Sequence, residues 1–314
     1  MMAPAEPPAF GGGPQISVII PSYARPDALR RCLAALTRQT CAPDRFEVIV
    51  VDDGSPAPLD AIVAEFRESL ELTLLRQENS GPGAARNRGA TSARGSLLAF
   101  TDDDCLPEPG WLKAMARQHA ATPADLLGGR VVNHDSGNRY AEASQFILDG
   151  AYRFYADHPG SGRFFASNNM AVPAGDFAEL GRFDGAFPIA SEDRDLCDRW
   201  HASGRSLRFV EDAVVRHDPS LNFARFVRQH FNYGRGAFSY QRARVRRGSS
   251  RPAQAFSAHA RFLRSVSQGL AQQPRAGRLR LAGLLLLWQL ANLAGYLYGA
   301  ARSWSSRAPA TGPH

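Results

Sequence analysis

Between residues 16 and 132 the chain alternates short apolar runs with amphipathic stretches. "ISVIIP" (16–21) reads as a buried strand, and "PDALRRCLAALTRQ" (26–39) sets Leu29, Cys32, Leu33 and Leu36 at helical spacing. "FEVIVVDDGS" (46–55) is a second strand that runs into Asp52, Asp53 and a glycine turn. "LDAIVAEFRES" (59–69) predicts a helix, "ELTLLRQ" (71–77) a strand, and "GPGAARNRGATSARG" (81–95) a glycine turn leading into a short helix that stops at Gly95. "SLLAFTDDD" (96–104) is the next strand, and a helix is expected to open at Pro109. Strands that are apolar throughout and separated by helices predict a mainly parallel sheet covered on both faces, with ligands at the carboxyl ends of its strands. Asp52, Asp53, Asp102, Asp103 and Asp104 all fall at such ends.

Past residue 133 the pattern loosens. Residues 133–163 carry aromatics without a clear period and read as an excursion with no assigned element, after which "RFFASNNMAVP" (163–173) predicts a strand. "SEDRDLCDRWHASG" (191–204) predicts a helix ending at Gly204, and "LRFVEDAVVRH" (207–217) an extended pair with a kink. The last third changes character. "FARFVRQHFNYGRGAFSYQRARVRRGSSR" (223–251) is strongly basic with interleaved Phe and Tyr. "LAGLLLLWQLANLAGYLYGAA" (281–301) is a 21-residue stretch without a charge, flanked by Arg280 and Arg302. Its length matches a bilayer span. Gln289, Asn292 and three glycines favour the competing reading, a buried or interfacial helix. A membrane-embedded segment is the expectation, and no repeat of 20–50 residues is visible.

The composition is that of a folded protein, 44% hydrophobic and 21% charged over 314 residues, so disorder is not the default. A net charge of +7 means that some surface attracts anions, whether ligand phosphates, nucleic acid or an anionic leaflet. The basic aromatic tract lacks a nucleic-acid motif, so no nucleic-acid partner is expected, and its composition suits the cytoplasmic side of an anionic bilayer. Cys32, Cys41, Cys105 and Cys197 form no CxxC pair, which argues against zinc and against a disulfide framework and suits a reducing compartment. The Pro/Gly-rich start, residues 1–15, lacks a basic start followed by an apolar core and reads as a flexible leader, not a signal peptide.

Three adjacent carboxylates at a strand end repel one another, so Asp102, Asp103 and Asp104 call for a counter-charge. A hard divalent cation, Mg²⁺ or Mn²⁺, takes one or two carboxylates and fills its other positions with water and substrate phosphates. Asp102 and Asp104, two residues apart, can both turn to one such site while Asp103 points elsewhere. A solvated acidic turn or a cap for the following helix is the alternative.

"SVIIPSYARPDALRRCLAAL", "FEVIVVDDGS", "GPGAARNRG", "LLAFTDDDCLPEPGWL" and "SEDRDLCDRW" stand in the order and approximate spacing of the family 2 glycosyltransferases, inverting enzymes of the GT-A fold. The chain resembles that family over residues 16 to about 220. The resemblance implies an α/β fold of GT-A type, a mainly parallel central sheet flanked by helices with a nucleotide-binding half, here carrying a helical C-terminal extension. The domain expectation is a leader at 1–15, the transferase domain at 16–220, a basic helical segment at 221–275, an apolar, membrane-associated or transmembrane helix at 276–302 and a tail at 303–314.

Residue by residue, the resemblance assigns Pro21, Tyr23, Asp52, Asp53 and Arg86 to the nucleotide pocket, and places Asp102 and Asp103 on the donor side. Asp104, Asp102 and His217 become candidate ligands of Mg²⁺ or Mn²⁺, Asp104 for direct contact and Asp102 for the ribose side. In "SEDRD" it makes Asp193 the general base that deprotonates the acceptor hydroxyl, with Glu192 as its neighbour or an acceptor-positioning group. Asp195 reads better as an exposed acid at a helix start, and Asn168 and Asn169 as residues of the donor-sugar side or of a turn. The implied activity is sugar transfer from a nucleotide-diphosphate sugar to an acceptor hydroxyl, on a lipid-linked or glycan acceptor at the cytoplasmic face of the cell membrane. A nucleotidyltransferase, and a membrane-tethered binding module with a dead site, are the rival readings.

Overall fold

The computed structural model describes residues 13–135, 137–157, 164–249 and 252–305, the side chains of 252–256 and 305 excepted. Most of the leader and of the tail inferred from sequence lies outside them. The chain divides into two compact units, one of Met1–His134, Gly162–Asp184 and Leu196–Pro219, the other of Asp135–Ser161, Gly185–Asp195 and Ser220–His314.

The first unit is built on eight strands. β1 (Ile16–Ser22), β2 (Phe46–Asp52) and β4 (Leu97–Thr101) are buried along their whole length, as strands covered on both faces must be. β3 is Leu72–Arg76, β5 Cys105–Pro107, β6 Leu126–Asn133, β7 Asn169–Pro173 and β8 Leu207–His217. Their order is β3-β2-β1-β4-β7-β6-β8-β5. β1, β2, β3 and β4 pair in parallel, as does β6 with β8, while β7 runs against β4 and β6, and β5 against β8. α1 (Pro26–Leu36) starts on a proline whose missing N–H costs nothing there, and buries Leu29, Cys32, Leu33 and Leu36. α2 (Asp60–Ala64), α3 (Pro82–Ser92), α4 (Trp111–Ala121) and α6 (Ala174–Glu179) complete this unit, with the later turns of α7 (Glu192–Ala202).

Several expectations change. The helix at 59–69 shrinks to five residues, and the strand at 163–173 to its last five. The kinked pair at 207–217 is one strand that slips register opposite Gly129 and Arg130. Asn169 stitches this bulge, its amide donating to the carbonyls of Arg130 (3.0 Å) and Ala213 (2.9 Å) while Trp111 Nε1 donates to its Oδ1 at 2.8 Å. That is a structural duty. The unassigned stretch contains α5 (Arg139–Asp157), a 19-residue helix whose aromatics pack in the second unit. All four cysteines are free thiols.

The second unit holds α5, α8 (Phe223–Arg246), α9 (Pro252–Ala271) and α10 (Arg275–Ser305). Leu221, Phe226, Val266, Leu285 and Trp288 form its core. α8 and α10 approach backbone to backbone at reciprocal glycines. A Cβ on Gly234 would collide with the Asn292 carbonyl, and one on Gly295 with that of Phe231. Helix α10 is long and apolar enough to cross a membrane, with 22% of its apolar window buried. Leu286, Leu290, Leu293 and Leu297 recur at helical spacing on its exposed side.

Candidate active site

The parallel register sets Ser22, at the end of β1, beside Asp52, at the end of β2, and the carboxylates after β4 emerge on the other side of β1. Each of the three adjacent acids meets a cation, and Asp103 and Asp104 share one. Asp102 Oδ1 accepts from Arg86 Nη2 at 2.6 Å. Asp103, fully buried, accepts from Ser22 Oγ at 2.7 Å and pairs with Arg25 Nη2 at 2.7 Å. Asp104 pairs with Arg25 Nη1 at 2.6 Å, and His217 Nε2 stands 3.5 Å from its other oxygen. Repulsion within the run is thus offset by two guanidiniums and an imidazole.

The strand ladder delivers the histidine. Antiparallel pairing of β5 with β8 puts Cys105 opposite His217, and the Asp218 N–H donates to the Asp104 carbonyl at 2.8 Å, which locks the two segments side by side. Burial disfavours charge on both partners, yet attraction wins. His217 and Arg25 hold the Asp104 carboxyl below its usual range, and Asp104, with Asp102 behind it, raises the His217 pKa. Burial, reinforced by the Asp104 charge, pushes Asp103 up to about 7 against the pull of Arg25. Arg25 is raised in turn, because the three carboxylates outweigh its own desolvation.

Asp104, Cys105 and His217 offer one ligand atom each, all within 4.8 Å of one another. The Asp104–His217 pair suits Mn²⁺ or Mg²⁺, whereas a soft thiol does not suit a hard cation. A guanidinium already rests on Asp103 and Asp104, so this pocket is built to hold positive charge. Asp102 faces Arg86 instead and is not part of that three-residue group.

Arg25 and Ser22 are the residues that sequence reasoning missed. Arg25 follows Ala24, whose φ of 54° lies in the left-handed region and whose N–H donates to Ser55 Oγ at 2.9 Å. Strain of this kind collects at functional sites. No periodicity marks Arg25, and its only sequence signal is a cation in the loop after β1.

Asp52 and Asp53 are both buried and bonded within the unit. Asp52 accepts from Ser55 N at 2.8 Å and pairs with Arg76 at 3.0 Å. Asp53 accepts from Gln77 Nε2 (2.7 Å), Ser80 N (2.9 Å) and Gly81 N (2.9 Å), so it tethers the turn that opens α3. Gly81 needs its φ of 89°, which a side chain would resist. Pro21 is buried in β1, and Tyr23 is exposed beside it. Arg86, on α3, is buried with its guanidinium 5.7 Å from the centre of the Phe183 ring. Asn168 accepts from Thr101 through its backbone carbonyl, and its buried Oδ1 has no hydrogen-bond partner among the described residues.

Glu192 and Asp193 open α7 within the second unit, directly after Ser191, a second non-glycine residue at positive φ (77°). Glu192 is buried and Asp193 half-buried, its Oδ1 accepting from the Arg194 N–H at 2.8 Å. Arg194 lies 4.8 Å from the centre of the Tyr240 ring and donates to Tyr155 Oη at 3.2 Å. Asp195 corrects the sequence reading. It is fully buried and accepts from Arg247 Nη1 at 2.6 Å, because the arginine that closes α8 reaches it.

Comparison with known proteins bears on the family and the fold. The model of glycosyl transferase family 2 matches residues 17–178. Glycosyltransferase AglE of Haloferax volcanii is 32% identical over 228 residues, covering 71% of this chain and 73% of its own length. The validoxylamine A glucosyltransferase of Streptomyces hygroscopicus is 31% identical, and the match covers 71% of this chain but 58% of that relative. Among solved structures, the mannosyltransferase PcManGT of Pyrobaculum calidifontis, in complex with GDP-Man and Mn²⁺, superposes with a TM-score of 0.65 at 20% identity, over 93% of this chain and 87% of its own. That likeness establishes the GT-A fold.

Proposed function

The chain belongs to glycosyl transferase family 2, a family of nucleotide-sugar-dependent glycosyltransferases, and from that premise we propose an inverting transfer that uses the acids at the ends of β2 and β4. The observation that carries this reading is the Asp104–His217 pair at the end of the sheet. Asp104 and His217 would hold a divalent cation, Mn²⁺ or Mg²⁺, whose charge offsets that growing on a departing diphosphate. The Mn²⁺ in the solved mannosyltransferase supports this choice of ion class.

Arg86 and Asp102, joined in one ion pair, line the donor side with Pro21, Tyr23, Asp52 and Asp53. The buried amide oxygen of Asn168, next to the strand end at Thr101, awaits a donor hydroxyl there. Asp193 is assigned the general base by its place in the "SEDRD" motif, with Glu192 beside it. In the displacement the acceptor oxygen bonds to the anomeric carbon, the bond from that carbon to the diphosphate breaks, and Asp193 takes the acceptor proton. The acceptor is a lipid-linked sugar or growing glycan at the cytoplasmic face of the membrane, a reading supported by the exposed leucines of α10.

The test is release of free nucleoside diphosphate from a panel of nucleotide sugars, with Mn²⁺ or Mg²⁺ and with a chelator. Diphosphate release that needs the ion supports the proposal. Pyrophosphate release from a nucleoside triphosphate supplied with a sugar 1-phosphate, without diphosphate release from any nucleotide sugar, indicates a nucleotidyltransferase, and no turnover in either assay indicates a binding module.

A further inference from the structure

Charge is strongly segregated along the chain. From Ser220 to the last residue there are fifteen arginines and not one aspartate or glutamate. Within the second unit some of these arginines surround a cavity of about 530 Å³ between α8, α10 and residues 186–190. Arg235 and Arg242 on α8 and Arg302 on α10 line it, with Ser239 and Ser303 as hydroxyl donors, and no described lining residue is acidic. Arg242 Nη1 donates to Ser303 Oγ at 2.7 Å, while its buried Nε has no hydrogen-bond partner among the described residues. Arg235 lies 5.4 Å from the centre of the Tyr298 ring and has no carboxylate partner there. With no acidic residue among the described lining, cations gathered around a concave space favour an anion that enters it, and guanidinium forks match phosphate oxygens.

We propose that this cavity binds a phosphate-bearing anion, with Arg235, Arg242 and Arg302 as its cationic contacts and the two serines as neutral donors. Its place in the fold favours a lipid headgroup as the source. The cavity lies at the end of α10 where the exposed leucines give way to Tyr296, Tyr298, Arg302 and Trp304, the aromatic and basic composition of a bilayer interface. The phosphate site goes beyond the transferase reading and does not rest on it. Its lipid source does rest on the membrane reading of α10.

The experiment uses the full chain carrying Asp104→Asn, so that catalysis does not enter. Binding of inorganic phosphate and pyrophosphate is titrated in detergent, and flotation is measured with vesicles of phosphatidylcholine alone and of phosphatidylcholine with phosphatidate. Arg235→Gln with Arg242→Gln is expected to weaken phosphatidate-dependent flotation at least about tenfold, more than the equally charged loss Arg261→Gln with Arg264→Gln on exposed α9 positions, where each arginine contributes only general attraction to the surface. As a check that needs no folded variant, phenylglyoxal modification of Arg235 and Arg242 in the unsubstituted cavity is expected to slow when phosphate or phosphatidate is present. Binding of soluble phosphates without phosphatidate-dependent flotation supports the site and assigns it to a soluble anion. Equal losses in both arginine pairs, or no protection by any of the phosphates, overturns it.

Discussion

His217 Nε2 lies 3.5 Å from Asp104 Oδ1, across a join between β5 and β8 that neither residue makes by its own side chain. This pair defines the proposed cation site. Asp104→Asn keeps shape and removes charge, so it is expected to lower transfer at least about 100-fold, the scale of losing several kcal/mol of charge stabilisation. His217→Ala is expected to weaken Mn²⁺ binding roughly 10- to 100-fold. Mn²⁺ titration followed by electron spin resonance checks both, and full activity of either variant in a chelator refutes the site.

Arg25 sets a contrasting expectation, because its guanidinium already neutralises Asp103 and Asp104. Arg25→Gln leaves two buried carboxylates without it and is expected to cost about 1–2 kcal/mol, after discounting for a side chain that is 49% exposed. Added Mn²⁺ then stabilises the variant more than the parent. Thermal melting with and without Mn²⁺ measures the difference, and equal shifts in both proteins count against the competition.

Two acids of one helical turn are predicted to fail in different ways. Asp193→Asn is expected to bind nucleotide and metal normally while turnover drops by a factor on the order of 10² or more. Asp195→Asn weakens a buried ion pair to Arg247 and is expected to cost on the order of 2 kcal/mol in stability. Donor titration beside steady-state transfer and chemical denaturation separates them. Normal transfer by Asp193→Asn removes its assigned role.

His230 makes the second unit acid-sensitive. Its ring is packed against Phe226 and Trp288, Ser144 Oγ lies 3.3 Å from its Nε2, and burial lowers its pKa from the ordinary 6.5 to about 4. The unfolded chain therefore takes up the proton first. Stability is fully present above about pH 6.5 and is lost as pH falls toward 4, by up to roughly 3 kcal/mol. His230→Phe is expected to flatten this part of the profile in denaturant titrations across that window, and an unchanged slope would assign the loss to other groups.

Ending the chain at residue 274 is expected to harm the protein, not merely detach it from lipid. Leu285 and Trp288 belong to the core of the second unit, and Gly234 of α8 faces α10 backbone. The shortened protein should aggregate or melt without cooperativity in size-exclusion and calorimetric measurements. A monomer with a sharp transition would show that α10 carries no share of the core.

The alternation of apolar runs and amphipathic helices made β1, β2, β4, α1 and the apolar span of α10 legible from the chain alone, because strands buried on both faces and helices with one buried stripe leave local periodic marks. The acids at strand ends were legible for the same reason, since a parallel sheet directs every strand terminus to one edge. What the chain alone did not determine is who answers those charges. Arg25 reaches Asp103 and Asp104, 78 and 79 positions further along the chain, and His217 reaches Asp104 only because β5 pairs with β8. Asp195 looked like a surface acid until the end of α8 came to lie on it, and α5 had no readable period because its aromatics face several neighbours at once. Burial, pairing register and ion-pair partners are set by residues far apart in sequence, so only the tertiary structure decides them.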